Sequence, residues 1–148
     1  MCKARKFLDE KTLLTLYYSF IYPYLVYCIE NWGMTFDVYL DSLNLLQKKA
    51  IRIICGVHYL HHTDPLFLKL KILPLSKIFV NQITIFMYKA YRNILPSSCK
   101  NKFKLNLVVH DHETRSSRNF HIPFARLTIS QRAIRYIGPK LWNHCLKK

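Results

Sequence analysis

Four metal-binding donors, Cys55, His58, His61 and His62, lie within eight residues of one another. Thiolate and imidazole are ligands that zinc favours, but structural zinc sites pair short-spaced ligands across a longer loop. Donors this close would strain to surround one ion, so Cys55 is expected to face the core and the histidines the solvent. His110, Asp111, His112 and Glu113 form the other acid–histidine cluster, and no second ligand set is present to close a site around it. No resident metal or other cofactor is therefore expected. Asp9 and Glu10 fall at a helix start, where capping and the helix dipole account for them. The eight acids are otherwise scattered, whereas two-metal phosphoryl transfer needs clustered carboxylates. The three glycines, Gly33, Gly56 and Gly138, cannot form a glycine-rich phosphate loop, and no G-x-S-x-G is present. Nothing favours Cys–His catalysis. The chain is not expected to be an enzyme.

The positive signal is charge. There are 23 Lys and Arg against 8 Asp and Glu, a formal net of +15. Residues 1–75 carry nine basic and six acidic side chains; residues 76–148 carry fourteen and two. A field of that sign and size attracts polyanions, nucleic acid first and anionic membrane second. In the second half Lys100, Lys102, Lys104, Arg115, Arg118, Arg126, Arg132 and Arg135 alternate with Phe103, Phe120, Phe124 and Tyr136. Cations bind phosphate, and aromatic faces stack on bases. These residues are the candidate nucleic-acid contacts.

Helices must position them. A hydrophobic fraction of 51% is that of a packed chain, not of a disordered one. A helix over residues 9–31 is expected, kinked or broken near Phe20–Ile21 by Pro23 and stopped by Gly33. The 17 apolar residues from Leu13 to Ile29 include five tyrosines and Pro23, which reads as a buried helix rather than a membrane span. A second helix over residues 37–55 shows an apolar stripe at Leu43, Leu46, Ala50, Ile53 and Ile54 and ends at Gly56. Thr63 or Asp64 and Pro65 start a short helix reaching Leu70. Ser76 caps a helix from Lys77 to Ile94, with Phe79, Ile83, Phe86, Met87, Ala90 and Ile94 as its core stripe. Beyond it, Lys100–His121 is aperiodic and reads as extended, Phe124–Ile137 as a short strand pair or helix, and Gly138-Pro139 as a turn. The expected architecture is mainly α: a bundle of three to four helices over residues 1–96, followed by a less regular basic segment over residues 97–148. Five scattered cysteines, odd in number, and a charged start without an apolar segment point to a reduced, intracellular protein.

The phrases LYYSFIYPYLVYCIENWG, LNLLQKKAIRIICGVHYLHHTDPLFLKLKILPL, IFMYKAYRNILP and TISQRAIRYIGPKLWN are similar, in order and spacing, to the C-terminal region of reverse transcriptases of non-LTR retrotransposons, the jockey-like and LINE-type elements. The resemblance runs from about residue 3 to Asn143. It implies the helical thumb that follows the palm, plus a further C-terminal segment. The family's paired catalytic aspartates have no counterpart, so the resemblance implies a fragment without polymerase activity and carries over no catalytic residue. It does imply a backbone-holding role for Lys48, Lys49 and Arg52, on the helix containing QKKAIRI, and for the basic tail. The implied partners are RNA or DNA, held with little sequence preference, and the palm and fingers of a parent polymerase. Two alternatives stand beside this reading: a decayed fragment with no selected function, and a basic membrane-surface or interaction module.

Overall fold

A computed structural model describes residues 3–110 and 114–145 of the chain. The fold is mainly α-helical, with no strand among the described residues beyond one isolated bridge. Helices outnumber the three to four expected, because the first breaks into pieces and the C-terminal segment coils into short turns.

Helix α1 (Glu10–Phe20) starts where extended Asp9 accepts a hydrogen bond from the Thr12 N–H at 3.2 Å. This satisfies an orphan donor of the first turn, and the bonds from Thr12 hold the Asp9 carboxyl below its ordinary value. Two further helices, α2 (Tyr22–Val26) and α3 (Ile29–Trp32), follow; the first break falls at Phe20–Ile21, where a kink or break was expected, and the second was not expected. Pro23 explains the first break: it has no N–H for the α1 ladder, and it sits in the first turn of α2, where none is needed. The second break has no such marker. Cys28 adopts a φ of 49° although it is neither glycine nor asparagine. The Leu13–Ile29 stretch is consequently not a buried helix. Leu13, Tyr17, Leu25 and Ile29 face inward, while Phe20, Tyr24 and Tyr27 are 66%, 79% and 76% exposed.

Helix α4 (Asp37–Cys55) has the expected bounds. Its inward face is Gln47, Ala50, Ile51 and Ile54, so the apolar stripe is rotated from the expected one and Leu46 is 60% exposed. Gly56, at a φ of 72°, ends the helix with its N–H on the Arg52 carbonyl. A Cβ at Gly56 would collide with the Arg5 guanidinium. Arg5 donates to the Ile53 carbonyl at 2.7 Å, a cation at the negative end of the helix dipole.

Helix α5 (Asp64–Leu70) carries Pro65 in its first turn and stops at left-handed Lys71. Helix α6 (Leu75–Tyr91) begins two residues before the expected start. Ser76 does not cap it; the Leu75 N–H donates instead to Oε1 of Gln47, 28 residues away, at 2.9 Å. It also ends early. Asn93 takes a φ of 57°, and asparagine tolerates that region better than other non-glycine residues. Ile83 and Met87 of the expected stripe are fully buried, whereas Ile94 lies beyond the helix and is 65% exposed.

The chain divides into two compact units, Met1–Ile29 with Thr35–Phe79, and Glu30–Met34 with Val80–Lys148. The expected boundary after residue 96 lies inside the second. The core of the first unit joins α1, α4 and α5 through Leu13, Tyr17, Ile51, Ile54, Phe67 and Leu70.

The second unit is built around Phe120. Helices α7 (Ser97–Lys100), α8 (Asn106–Val109), α9 (Thr128–Gln131) and α10 (Ile134–Cys145) complete it. Lys100–His121 is therefore not a plain extended segment. Leu105 and Phe120 form an antiparallel bridge, and the His121 N–H reaches the Lys104 carbonyl at 2.8 Å. The Phe120 ring, 2% exposed, lies 6.2–6.4 Å from the rings of Tyr91, Phe103 and Trp142, near the usual aromatic spacing. Asn143 clamps the Phe120 backbone from both sides, accepting its N–H at 3.0 Å and donating to its carbonyl at 2.8 Å.

Gly138-Pro139, expected as a turn, lies inside α10. Pro139 is the sixth residue of α10 and has no N–H to offer the Arg135 carbonyl, so the helix forgoes that one bond. The glycine serves a close approach: a Cβ at position 138 would lie 2.6 Å from the Met87 sulfur, and Met87 has no exposure. Gly138→Ala is therefore expected to lower the unfolding free energy by about 1–3 kcal/mol through overpacking. Urea denaturation checks this, and Gly138→Ala should cost less in a Met87→Ala background than in the starting chain.

Candidate nucleic-acid interface

The three basic residues expected on α4 do not share one environment. Arg52 is half-buried and its Nε donates to the His61 carbonyl at 2.8 Å, which ties down the loop after the helix. Lys48 is half-buried on the rim of a cleft of about 580 Å³ that also presents the carboxylates of Asp41 and Asp64. Two acids beside one lysine make a poor seat for phosphate. Lys49 is exposed.

The second unit gathers charge differently. It holds thirteen Lys and Arg against three acids, Glu30, Asp111 and Glu113. Asp111 and Glu113 lie outside the described residues, as does His112, so the expected acid–histidine cluster is represented by His110 alone. The bridge at Leu105 and Phe120 sets two stretches of chain side by side. Lys102 and Lys104 lie on one, and Arg115 and Arg118 on the return; all four are exposed. The Asn106 N–H to Asn119 carbonyl bond at 2.9 Å and the Leu107 N–H to Ser117 carbonyl bond at 3.0 Å hold the two together. Lys102 and Lys104 thus flank the bridge on one side and Arg115 and Arg118 on the other, all with exposed side chains. This is the favourable arrangement for phosphates: the cations lose little solvation before a ligand arrives.

Lys100 closes α7. Arg126 and Arg135 are exposed on either side of α9 and at the start of α10. Arg132 is half-buried and donates to the Met34 carbonyl at 3.3 Å, so it also fastens the Glu30–Met34 segment to its unit. Exposed Lys89, Arg92 and Lys140 belong to the same unit and were not among the sequence candidates. Lys89 stands on α6 and Lys140 on α10, Arg92 follows the end of α6, and only the fold assigns them to this body. The Lys140 ammonium lies 5.9 Å from the Tyr136 ring centroid.

The aromatics divide between core and surface. Phe103 and Phe120 pack inside the ring cluster, whereas Phe124 is 90% exposed.

Among the described residues no three His, Cys, Asp or Glu side chains are grouped to hold a metal ion. His58 accepts from the Leu60 N–H at 3.4 Å, and His61 Nδ1 lies 2.8 Å from the His62 carbonyl, so both rings serve their own loop. Cys55 is half-buried, and that burial pushes its thiol above the ordinary cysteine value. Its thiolate fraction near pH 8 is thereby reduced, so Cys55 is expected to alkylate more slowly than exposed Cys28 and Cys145. Iodoacetamide labelling followed by peptide mass mapping gives the order; equal rates at all three would contradict it.

No single helix among the described residues is long and apolar enough to cross a membrane, although α5 and α6, bent by 51°, meet the length and composition as a pair. No family model matches the sequence, and no curated protein or solved structure is significantly similar to it.

Proposed function

We propose that the chain is a non-catalytic nucleic-acid-holding region, of the kind that follows the palm in non-LTR retrotransposon reverse transcriptases, and that it acts inside the cell on RNA or DNA backbones. The observation that carries this reading is the charge of the second unit: thirteen cations against three acids, with Lys102, Lys104, Arg115 and Arg118 exposed on either side of the Leu105–Phe120 bridge. Phosphate contacts of this type position a polymer without reading its sequence. The serial resemblance of four sequence blocks to the post-palm region supports the same role.

The test is fluorescence anisotropy with unrelated RNA and duplex DNA probes, run beside anionic vesicles. Similar affinities for probes of different sequence are expected. Vesicle binding without nucleic-acid binding would transfer the reading to a membrane-surface module. A chain that binds neither would leave a fragment without a ligand. Purified protein should show no primer extension, since two-metal catalysis has no substitute for its clustered carboxylates.

A further inference from the structure

Helix α4 is apolar on two sides. One side enters the core of the first unit. On the other, Val38, Tyr39, Leu45 and Leu46 are 76%, 70%, 58% and 60% exposed. At about 100° per residue these four fall on one face, with Ser42 and Lys49 along its middle. Val38 and Leu45 are one heptad apart, as are Tyr39 and Leu46, the spacing by which one helix offers a seam to another. Contiguous exposed apolar surface of this kind marks an interaction site.

We propose that this face is a self-association surface, on which α4 of one copy packs antiparallel against α4 of a second. Charge selects this occupant. The acids of the helix, Asp37 and Asp41, lie in its N-terminal half, and its bases, Lys48, Lys49 and Arg52, in its C-terminal half. A two-fold axis between Leu45 and Leu46 sets the two leucines of each copy against each other. It brings Asp41 of each copy beside Lys49 of the other. Every unlike pair then occurs twice, as an isologous interface requires. Opposed helix dipoles favour the same orientation. A parallel pair would set acid on acid and base on base. Pairing covers Lys49 and leaves the exposed cations of the second unit free, so it is independent of nucleic-acid binding by that unit.

Sedimentation equilibrium of the full, nuclease-treated chain tests the proposal. A mass of twice 17.7 kDa is expected at about ten micromolar and above. The Leu45→Glu/Leu46→Glu double variant should remain monomeric at those concentrations. Asp41→Lys and Lys49→Glu, each at an exposed position, should each weaken association by about tenfold, because two symmetry-related pairs become like-charged. Combining the two reversals restores the unlike pairs and should return the dissociation constant to within about threefold of the starting protein. Circular dichroism of each variant confirms retained helix. A monomer at every concentration overturns the proposal. So does a dimer indifferent to the leucine changes, or a double reversal that binds more weakly than either single one.

Discussion

Gln47→Leu is expected to lower the unfolding free energy by about 3 kcal/mol, a large share of the roughly 5–15 kcal/mol that holds a domain of this size. Gln47 is 3% exposed and uses both ends of its amide. Nε2 donates to the Tyr17 hydroxyl and to the Leu73 carbonyl, each at 3.0 Å, and Oε1 accepts the Leu75 N–H at 2.9 Å. One side chain thus joins α1, the turn before α6 and the first residue of α6. Leucine fills a similar volume and replaces none of these bonds. The Leu75 N–H and the fully buried Tyr17 hydroxyl would be stranded, at about 1–3 kcal/mol each, while the partly exposed turn carbonyl recovers water at less cost. Burial already pushes the Tyr17 hydroxyl above its ordinary value, with the Gln47 bond acting in the opposite sense. Gln47→Glu is expected to be no milder: it keeps the acceptor for Leu75 but removes both donors and buries a charge. Urea unfolding followed by circular dichroism reads the effect. A loss under about 1 kcal/mol for Gln47→Leu would mean that the three bonds do not hold these elements together.

The same residue shows where sequence reading stops. Apolar spacing and Gly56 define α4 to the residue, and Pro65 and Pro23 mark a helix start and a helix break, because these are local effects of periodicity and of a missing N–H. The start of α6 is not local. Its cap comes from a glutamine 28 positions earlier, while Ser76 offers a plausible but unused alternative. The break at Cys28 carries no glycine, proline or asparagine to announce it. Gly138-Pro139 misleads in the opposite direction. The pair reads as a turn by residue type, but the helix loses only one bond, and the glycine is needed by Met87. The charge that carries the candidate interface is legible in composition. Its grouping is not, because the bridge between Leu105 and Phe120 depends on an aromatic cluster drawn from Tyr91, Phe103, Phe120 and Trp142, spread over the second half of the chain.

The largest expected effect is that of salt. If about six to ten of the second unit's cations touch phosphates, affinity for duplex should fall roughly 10³- to 10⁵-fold between about 50 and 200 mM salt. The cause is entropic: each contact frees a condensed counterion, and the gain shrinks as bulk salt rises. Exposed lysine and arginine heads suit this mechanism, since they reach phosphate without first giving up buried partners. Arg132 and Arg52, each donating to a backbone carbonyl, should count for less than Lys102, Lys104 and Arg118. A salt-insensitive affinity would point to apolar or stacking contacts in place of phosphate contacts.

The central claim is that position, and not total charge, makes the interface, and one comparison tests it most directly. The salt slope of duplex binding is measured for Lys102/Lys104/Arg118→Gln and for Lys3/Lys6/Lys11→Gln. All six side chains are exposed, and both variants lose three positive charges. The first triple neutralises the residues flanking the bridge in the second unit; the second lies near the start of the first unit. The first triple is expected to flatten the slope by up to about three contacts, at ~0.9 per contact, and the second to leave it nearly unchanged. Equal losses from the two would contradict the account and leave a generic polycation in place of a nucleic-acid site.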